Sequence, residues 1–115
     1  MVIIQSEIIK FIVSCSDTRY YINMIISFRH KGLETFYRTG STRGIQAKHA
    51  VKLNRLLASL DAASLPKELS YPGYKLHSLQ GTLKGYWSVW VSGHWRLTFR
   101  FVHGDVELID YLDYH

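Results

Sequence analysis

Three stretches of this sequence carry side chains that a fold does not need and that phosphodiester chemistry does. The first is Lys75-Leu76-His77-Ser78-Leu79-Gln80-Gly81. The second is Arg96, which alternates with the apolar residues Trp95, Leu97 and Phe99. The third is Asp113-Tyr114-His115. Cleaving RNA through its own 2′-hydroxyl takes a base for that proton, a cation for the charge that builds on the phosphoryl oxygens, and an acid for the departing 5′ oxygen. Histidine titrates near neutral pH and suits either proton role. Arginine keeps its charge and its planar fork donates to two phosphate oxygens at once. Tyrosine can stack on a base or donate a hydrogen bond, and a carboxylate such as Asp113 can orient a histidine. Each residue alone has a plainer reading. A histidine among leucines is usually structural, a sheet-face arginine is usually solvated, and terminal residues usually fray.

The bulk composition points the same way. Fourteen Lys and Arg against nine Asp and Glu leave a charge of +5, which favours an anionic partner, most simply nucleic acid. A length of 115 residues with 47% hydrophobic and 14% aromatic side chains is enough for one packed domain and argues against disorder. The single cysteine, Cys15, rules out an internal disulfide and fits a reducing, cytoplasmic setting. Zinc-type Cys/His spacing is missing, so neither a structural metal nor another cofactor is expected.

Residues 1–23 read differently from the rest. Glu7, Lys10 and Asp17 break their apolar pairs, and the longest clean run, Phe11–Val13, is far too short to span a membrane. A signal peptide would want a positive start and an unbroken apolar stretch, and neither is present. Met24 is followed at once by patterned sequence. The expected organisation is therefore an extension over 1–23, dispensable or outside the natural start, ahead of a domain over 24–115. The alternative is that residues 2–13 add a strand or short helix to that domain.

The elements that must position the three stretches follow from periodicity. Ile25–Phe28 reads as a strand, and Leu33, Phe36 and Tyr37 put one apolar stripe on a helix over Lys31–Arg38. Gln46–Leu60 is the clearest helix. Its Ala50, Leu53, Leu57 and Leu60 share one face, and Lys48, Lys52 and Arg55 share another. Pro66 and Pro72 make Ser64–Gly73 a linker. Beyond Tyr74 the period becomes two. Trp87, Val89 and Val91 alternate with polar or amphipathic residues, Ser92-Gly93 turns, and Trp95–Phe101 alternates again. His103-Gly104-Asp105 is a second turn before a last strand over Val106–Tyr111. Two tight hairpins in succession predict an antiparallel meander, and the whole predicts an α+β fold with two N-terminal helices packed on that sheet.

Several segments resemble one family. Ser27-Phe28-Arg29-His30-Lys31-Gly32-Leu33, Leu60-Asp61-Ala62-Ala63, Tyr74-Lys75-Leu76-His77, Gly85-Tyr86-Trp87-Ser88-Val89, Trp95-Arg96-Leu97-Thr98-Phe99 and the closing Asp113-Tyr114-His115 stand in the order found in HigB toxins of the RelE/ParE superfamily. The resemblance runs from Met24 to His115. It implies a RelE-like, microbial-RNase-like fold and metal-independent cleavage of mRNA in the ribosomal A site, which halts translation. It implies a helix-turn-helix antitoxin as partner, and operator DNA reached only through the toxin–antitoxin complex. Its active-site positions fall here on His77, Arg96, Asp113, Tyr114 and His115. Arg96 is assigned to the phosphate, His77 or His115 to each proton transfer, Tyr114 to substrate positioning and Asp113 to orienting its neighbours. Gln80 stands where the family often has lysine, and an uncharged amide cannot replace that cation. Lys84 is the candidate substitute. Lys48, Lys52, Arg55, Lys75, Gln80 and Lys84 become candidates for contact with mRNA or the ribosome.

Two other readings compete. A ParE-like gyrase poison would share the fold without the acid–base set, and His77 and His115 speak against it. A degenerate toxin would only bind its antitoxin or nucleic acid, and Gln80 is the residue that keeps that reading open.

Overall fold

The computed structural model describes residues 25–114, so the extension expected over 1–23 and the candidate His115 both lie outside the described residues. Helix α1 spans Lys31–Thr39 and α2 spans Ala50–Ala62. Strands β1 (His77–Ser78), β2 (Trp87–Ser92), β3 (Trp95–Val102) and β4 (Asp105–Asp113) form an antiparallel sheet in the order β1-β2-β3-β4. The α+β class and the meander are as the periodicities predict. The placement of the two helices at the N-terminus is not confirmed: the described helices come after residue 30, following a segment that bridges in parallel to β4 through Ile25–Val106 and Phe28–Ile109.

Local chemistry sets the helix ends. The His30 Nδ1 accepts the Leu33 N–H at 2.9 Å and caps α1. Gly40 stops the helix in the left-handed region, at φ 83°, with its N–H donating to the Phe36 carbonyl at 2.8 Å. Helix α2 starts later than its apolar stripe suggested, because Ala47–His49 form a 3₁₀ turn ahead of it. The proline-bearing linker also winds into 3₁₀ turns, at Pro66–Leu69 and Pro72–Tyr74.

Leu33, Phe36 and Tyr37 of α1 and Leu53, Leu56, Leu57 and Leu60 of α2 are buried together with Val89, Leu97, Phe99, Val106, Ile109 and Tyr111 of the sheet. One core therefore lies between the helices and one sheet face. Asp61 ties its edge together. Its carboxylate accepts the Ile25 N–H at 3.3 Å and the Tyr37 hydroxyl at 3.1 Å, joining α2 to α1 and to the first bridged segment.

Strand β4 contains a bulge. Thr98 pairs with Asp110 and Arg100 with Glu107, so Leu108 and Ile109 together stand against Phe99. Leu108 takes φ 56°, a strained value for a bulky side chain, and its N–H is satisfied by the Ser27 Oγ at 2.8 Å. The bulge changes the parity of the strand, so that Val106 before it and Ile109 and Tyr111 after it all face the core.

Gly32 and Gly44 let the first turn of α1 and the loop before α2 touch backbone to backbone. A Cβ added at Gly44 would sit 2.5 Å from the Cα of Gly32. Gly44→Ala is therefore expected to destabilise the domain by about 1–3 kcal/mol, read as a lower midpoint in urea unfolding. Gly73→Ala, where an added Cβ meets nothing within 4 Å, serves as the control and should change the midpoint far less.

Candidate functional site

The sheet face turned away from the helices carries the polar residues of the meander. The register lines up His77 with Ser88, Ser88 with Thr98 and Thr98 with Asp110. The neighbouring row on the same face is Trp90, Arg96 and Leu112. His77 and Arg96 therefore share a face, two strands and one row apart, which is about 10 Å across the sheet and about 7 Å along it. An arginine side chain and a phosphodiester group can bridge that interval.

The imidazole of His77 is oriented by its own strand. Its Nδ1 lies 3.0 Å from the Lys75 carbonyl, which can only accept, so Nδ1 carries the proton. In the neutral ring Nε2 is then the unprotonated nitrogen, the one that can act as a base. Nε2 lies 3.5 Å from the Oγ of Ser88, a fully buried hydroxyl. Lys75 reaches its position with φ 48°, a left-handed conformation uncommon for lysine. Strand β1 is only two residues long and polar, which is why no period-two signal announced it.

Arg96 is half-buried, and its Nη1 is buried with no hydrogen-bond partner among the described residues. A guanidinium nitrogen withdrawn from water and left unpaired is costly, and an anion's oxygen would relieve that cost. The same face holds Arg100, whose guanidinium is ion-paired with Glu107. Arg29 and Arg100 both stand near the buried Tyr86 ring, at 5.9 and 5.6 Å from its centroid.

The C-terminal candidates divide. Asp113 pairs with Trp95, so its register position is on the helix-facing side, and its charge acts on Tyr111. Tyr114 follows Leu112 in parity and is exposed beside the Arg96 row. The Tyr114 N–H donates to the His94 carbonyl at 2.7 Å, which pins the tail to the β2–β3 turn.

The basic candidates also divide. Lys52 and Lys75 both approach the Trp90 ring, with Nζ at 4.8 and 4.4 Å from its centroid, and Lys52 also lies 6.0 Å from that of Tyr74. Burial, then the charges of Arg55 and Lys75, pull the Lys52 ammonium below its ordinary value. The α2 face thus meets the sheet edge in a knot of like charge beside Trp90, the cross-strand neighbour of Arg96. Lys48 is exposed in the 3₁₀ turn before α2. Gln80 and Lys84 are exposed on either side of the turn Gly81–Leu83.

Four neighbours of the site lay outside the expected set. Arg100 shares the parity of Arg96, so alternation carried a signal for it. Ser88 and Trp90 were placed on the polar face by the same alternation, but nothing in their spacing marked contact with His77 or with two lysines. Arg29 left no local signal, because only the packing of the first segment against β4 carries it over Tyr86.

Behind the sheet, Tyr111 is held by His49. The two are buried, with Nδ1 2.6 Å from the hydroxyl. The Gln46 N–H donates to the same hydroxyl, which lets that hydroxyl donate its proton to an unprotonated Nδ1. Burial, aided by the Lys48 charge, lowers the His49 pKa, and burial raises that of Tyr111.

Among the described residues there is no grouping of three or more His, Cys, Asp or Glu able to hold a metal ion. The comparisons with known proteins agree on a family. A family model described as the RelE-like toxin of type II toxin–antitoxin system HigB matches residues 26–115. The Endoribonuclease HigB of Proteus vulgaris is 44% identical over 92 residues, covering 80% of this chain and all of that protein. The Toxin HigB-1 of Vibrio cholerae serotype O1 is 39% identical over 94 residues, covering 80% of this chain and 98% of the relative. Among solved structures, the YoeB/ParE toxin from Agrobacterium tumefaciens matches with a TM-score of 0.55 at 19% identity, over 80% of this chain and 99% of that one. A chain of the YoeB-YefM complex from Staphylococcus aureus matches with a TM-score of 0.53 at 22% identity, over 79% and 94%. At such identities these structures speak for the fold alone.

The His49–Tyr111 pair gives the strand that carries the tail a pH dependence. Because the folded-state pKa of His49 lies below the unfolded value near 6.5, its contribution to stability is complete above that pH and is lost as pH falls through the lower folded-state value. Urea unfolding between pH 7.5 and 5 is expected to lose more stability in the wild type than in His49→Gln, which accepts the same hydrogen bond without titrating. Parallel pH profiles would reject the assignment.

Proposed function

We propose that this chain, which belongs to the HigB family of RelE-like toxins of type II toxin–antitoxin systems, is an endoribonuclease that cuts mRNA in the ribosomal A site. The observation that carries this reading is the buried Nη1 of Arg96, unpaired among the described residues, on the sheet face it shares with a histidine whose tautomer is already set. That pairing is what phosphoryl-oxygen stabilisation and proton abstraction need in one place.

In the proposed reaction the His77 Nε2 takes the proton of the 2′-hydroxyl. The freed oxygen attacks the adjacent phosphorus, and Arg96 donates to the non-bridging oxygens as their charge grows. The bond to the 5′ oxygen breaks, and His115 supplies the proton that this oxygen gains. A 2′,3′-cyclic phosphate and a free 5′-hydroxyl result, and no metal takes part. Tyr114 positions or stacks on the substrate. Asp113 acts on the tail through Tyr111 and the terminal residues. His77 takes the role of base because the Lys75 carbonyl holds the ring proton on Nδ1 and leaves the lone pair on Nε2, which lies beside the Ser88 hydroxyl.

Ribosome contact is assigned to Lys48, Lys52 and Arg55, with Lys75 joining them at Trp90. Arg55 and Lys75 act on Lys52 as like charges, and the phosphates of RNA would relieve that repulsion. Gln80 and Lys84 are placed at the margin of the mRNA path, with Lys84 supplying the charge that Gln80 lacks. A helix-turn-helix antitoxin is the proposed partner, and operator DNA is reached only through that complex. No helix of the described residues is long and apolar enough to cross a membrane. The proposed setting, where ribosomes and messages meet, is the cytoplasm.

Induction in a bacterial host, followed by mapping of mRNA 5′ ends, tests this. Wild type should produce in-frame cuts confined to translated messages. Arg96→Ala should reduce them on the order of a hundredfold or more, and His77→Gln by a comparable factor. Cuts on untranslated RNA would remove the ribosome from the mechanism, and full toxicity in Arg96→Ala would remove the arginine. Charge reversal at Lys48, Lys52 and Arg55 together should weaken ribosome binding and flatten its dependence on salt; unchanged binding at physiological salt would reject that surface.

A further inference from the structure

The scissile-phosphate residues occupy only part of the polar sheet face. Arg96, Thr98 and Arg100 alternate on β3 and point the same way, so Arg100 stands two pleats beyond Arg96, about 13 Å along the strand. Arg29 reaches the same area from the segment bridged to β4, at the sheet edge opposite β1. Both guanidiniums lie within 6 Å of the centroid of Tyr86, at 5.9 and 5.6 Å. The ring itself is buried, so it serves as a floor beneath the two exposed arginines and not as a surface for a base.

Glu107 sets the orientation of one of these cations. It pairs with Arg100 directly across the β3–β4 ladder and holds that guanidinium by an ion pair. Arg29 has no acidic partner in any ion pair of the described residues, so the group of Arg29, Arg100 and Glu107 keeps one net positive charge. The bulge at Leu108 brings this about, because the parity before it puts Glu107 opposite Arg100 and the parity after it puts Leu112 opposite Arg96.

We propose that Arg29 and Arg100, held over Tyr86, form a second phosphate subsite that binds the RNA backbone away from the scissile bond. The strand would then cross the sheet from Arg96 toward Arg29 and be fixed in register at both ends. The subsite rests on the nuclease reading above, and it assigns to this chain positioning residues beyond the acid–base set. Arg29 carries the free charge and acts on phosphate directly. Arg100 is steadied by Glu107 and offers its remaining donors.

The test is a chemical cycle on ribosomes programmed with a defined mRNA. Single phosphates flanking the cleavage site are replaced in turn by uncharged methylphosphonates. In wild type one flanking position should slow cleavage by about tenfold, the usual scale of a lost charge-assisted hydrogen bond. In Arg29→Gln, and in the paired variant Arg100→Gln/Glu107→Gln, the natural message should be cut about as slowly, and the same methylphosphonate should add little. Arg29→Lys, which keeps the charge, should recover most of the rate. Thermal unfolding of each variant accompanies the cycle, since a merely structural arginine would lower the melting temperature and leave the methylphosphonate effect intact. Additive losses at every flanking position, or unaltered cleavage in the variants, would overturn the subsite while leaving the nuclease standing. Failure of wild type to cut programmed ribosomes would remove the nuclease reading and the subsite with it.

Discussion

The two-residue period of the β-sheet governs where every polar group of this protein ends up. One face must bury Leu97, Phe99, Val89 and Tyr111 against α2, so residues of the opposite parity have to leave the core. His77, Ser88, Arg96, Thr98 and Arg100 are assembled on one face by that exclusion before any of them touches a substrate. The helices supply no candidate for acid–base chemistry to this face. They hold the sheet in shape, and α2 adds cations at one edge.

The bulge in β4 breaks that period, as does the irregularity of β2 between Trp90 and Ser92, and the bulge holds Leu108 in the left-handed region. Without the extra residue, Val106 and Ile109 could not both face the core. With it, Glu107 meets Arg100, Leu112 meets Arg96, and Tyr114 rather than Asp113 follows the parity of the candidate site. Ser27 satisfies the amide that the bulge exposes, which links the first bridged segment to the same feature. Packing of the core and placement of the tail are thus one decision.

The charges are arranged for a polyanion. Among the described residues, the Nη1 of Arg96 is buried with no partner, Lys52 and Lys75 crowd the same indole, and Arg29 lies over Tyr86 with no acid in an ion pair. Burial works against the charge on Arg96 and on Lys52 in the free protein. The family relationship fits a small toxin whose substrate, RNA, is a polyanion. Glu107 and Asp110 share the polar sheet face by register, while Asp61 and Asp113 lie elsewhere. Asp61 stitches helices, Glu107 steadies an arginine, and Asp113 sits by register on the helix side.

Much of this was legible in the chain itself, because hydrophobic periodicity is local. The α+β class, the buried stripes of both helices, the meander and the polar parity of Arg96 and Arg100 all follow from spacing over a few residues. The types of His77, Arg96 and Tyr114 are what made phosphodiester chemistry the expectation. What spacing could not reach was anything set by contact across distant segments. The two-residue β1, the carbonyl that fixes the His77 tautomer, the unpaired Arg96 nitrogen, the approach of Arg29 to Tyr86 and the bulge that assigns the tail to its faces exist only once the strands are in register. Register is a long-range property, chosen by how a whole core closes, and so the residues determine which reactions are available while the packing of the sheet decides which of them can meet.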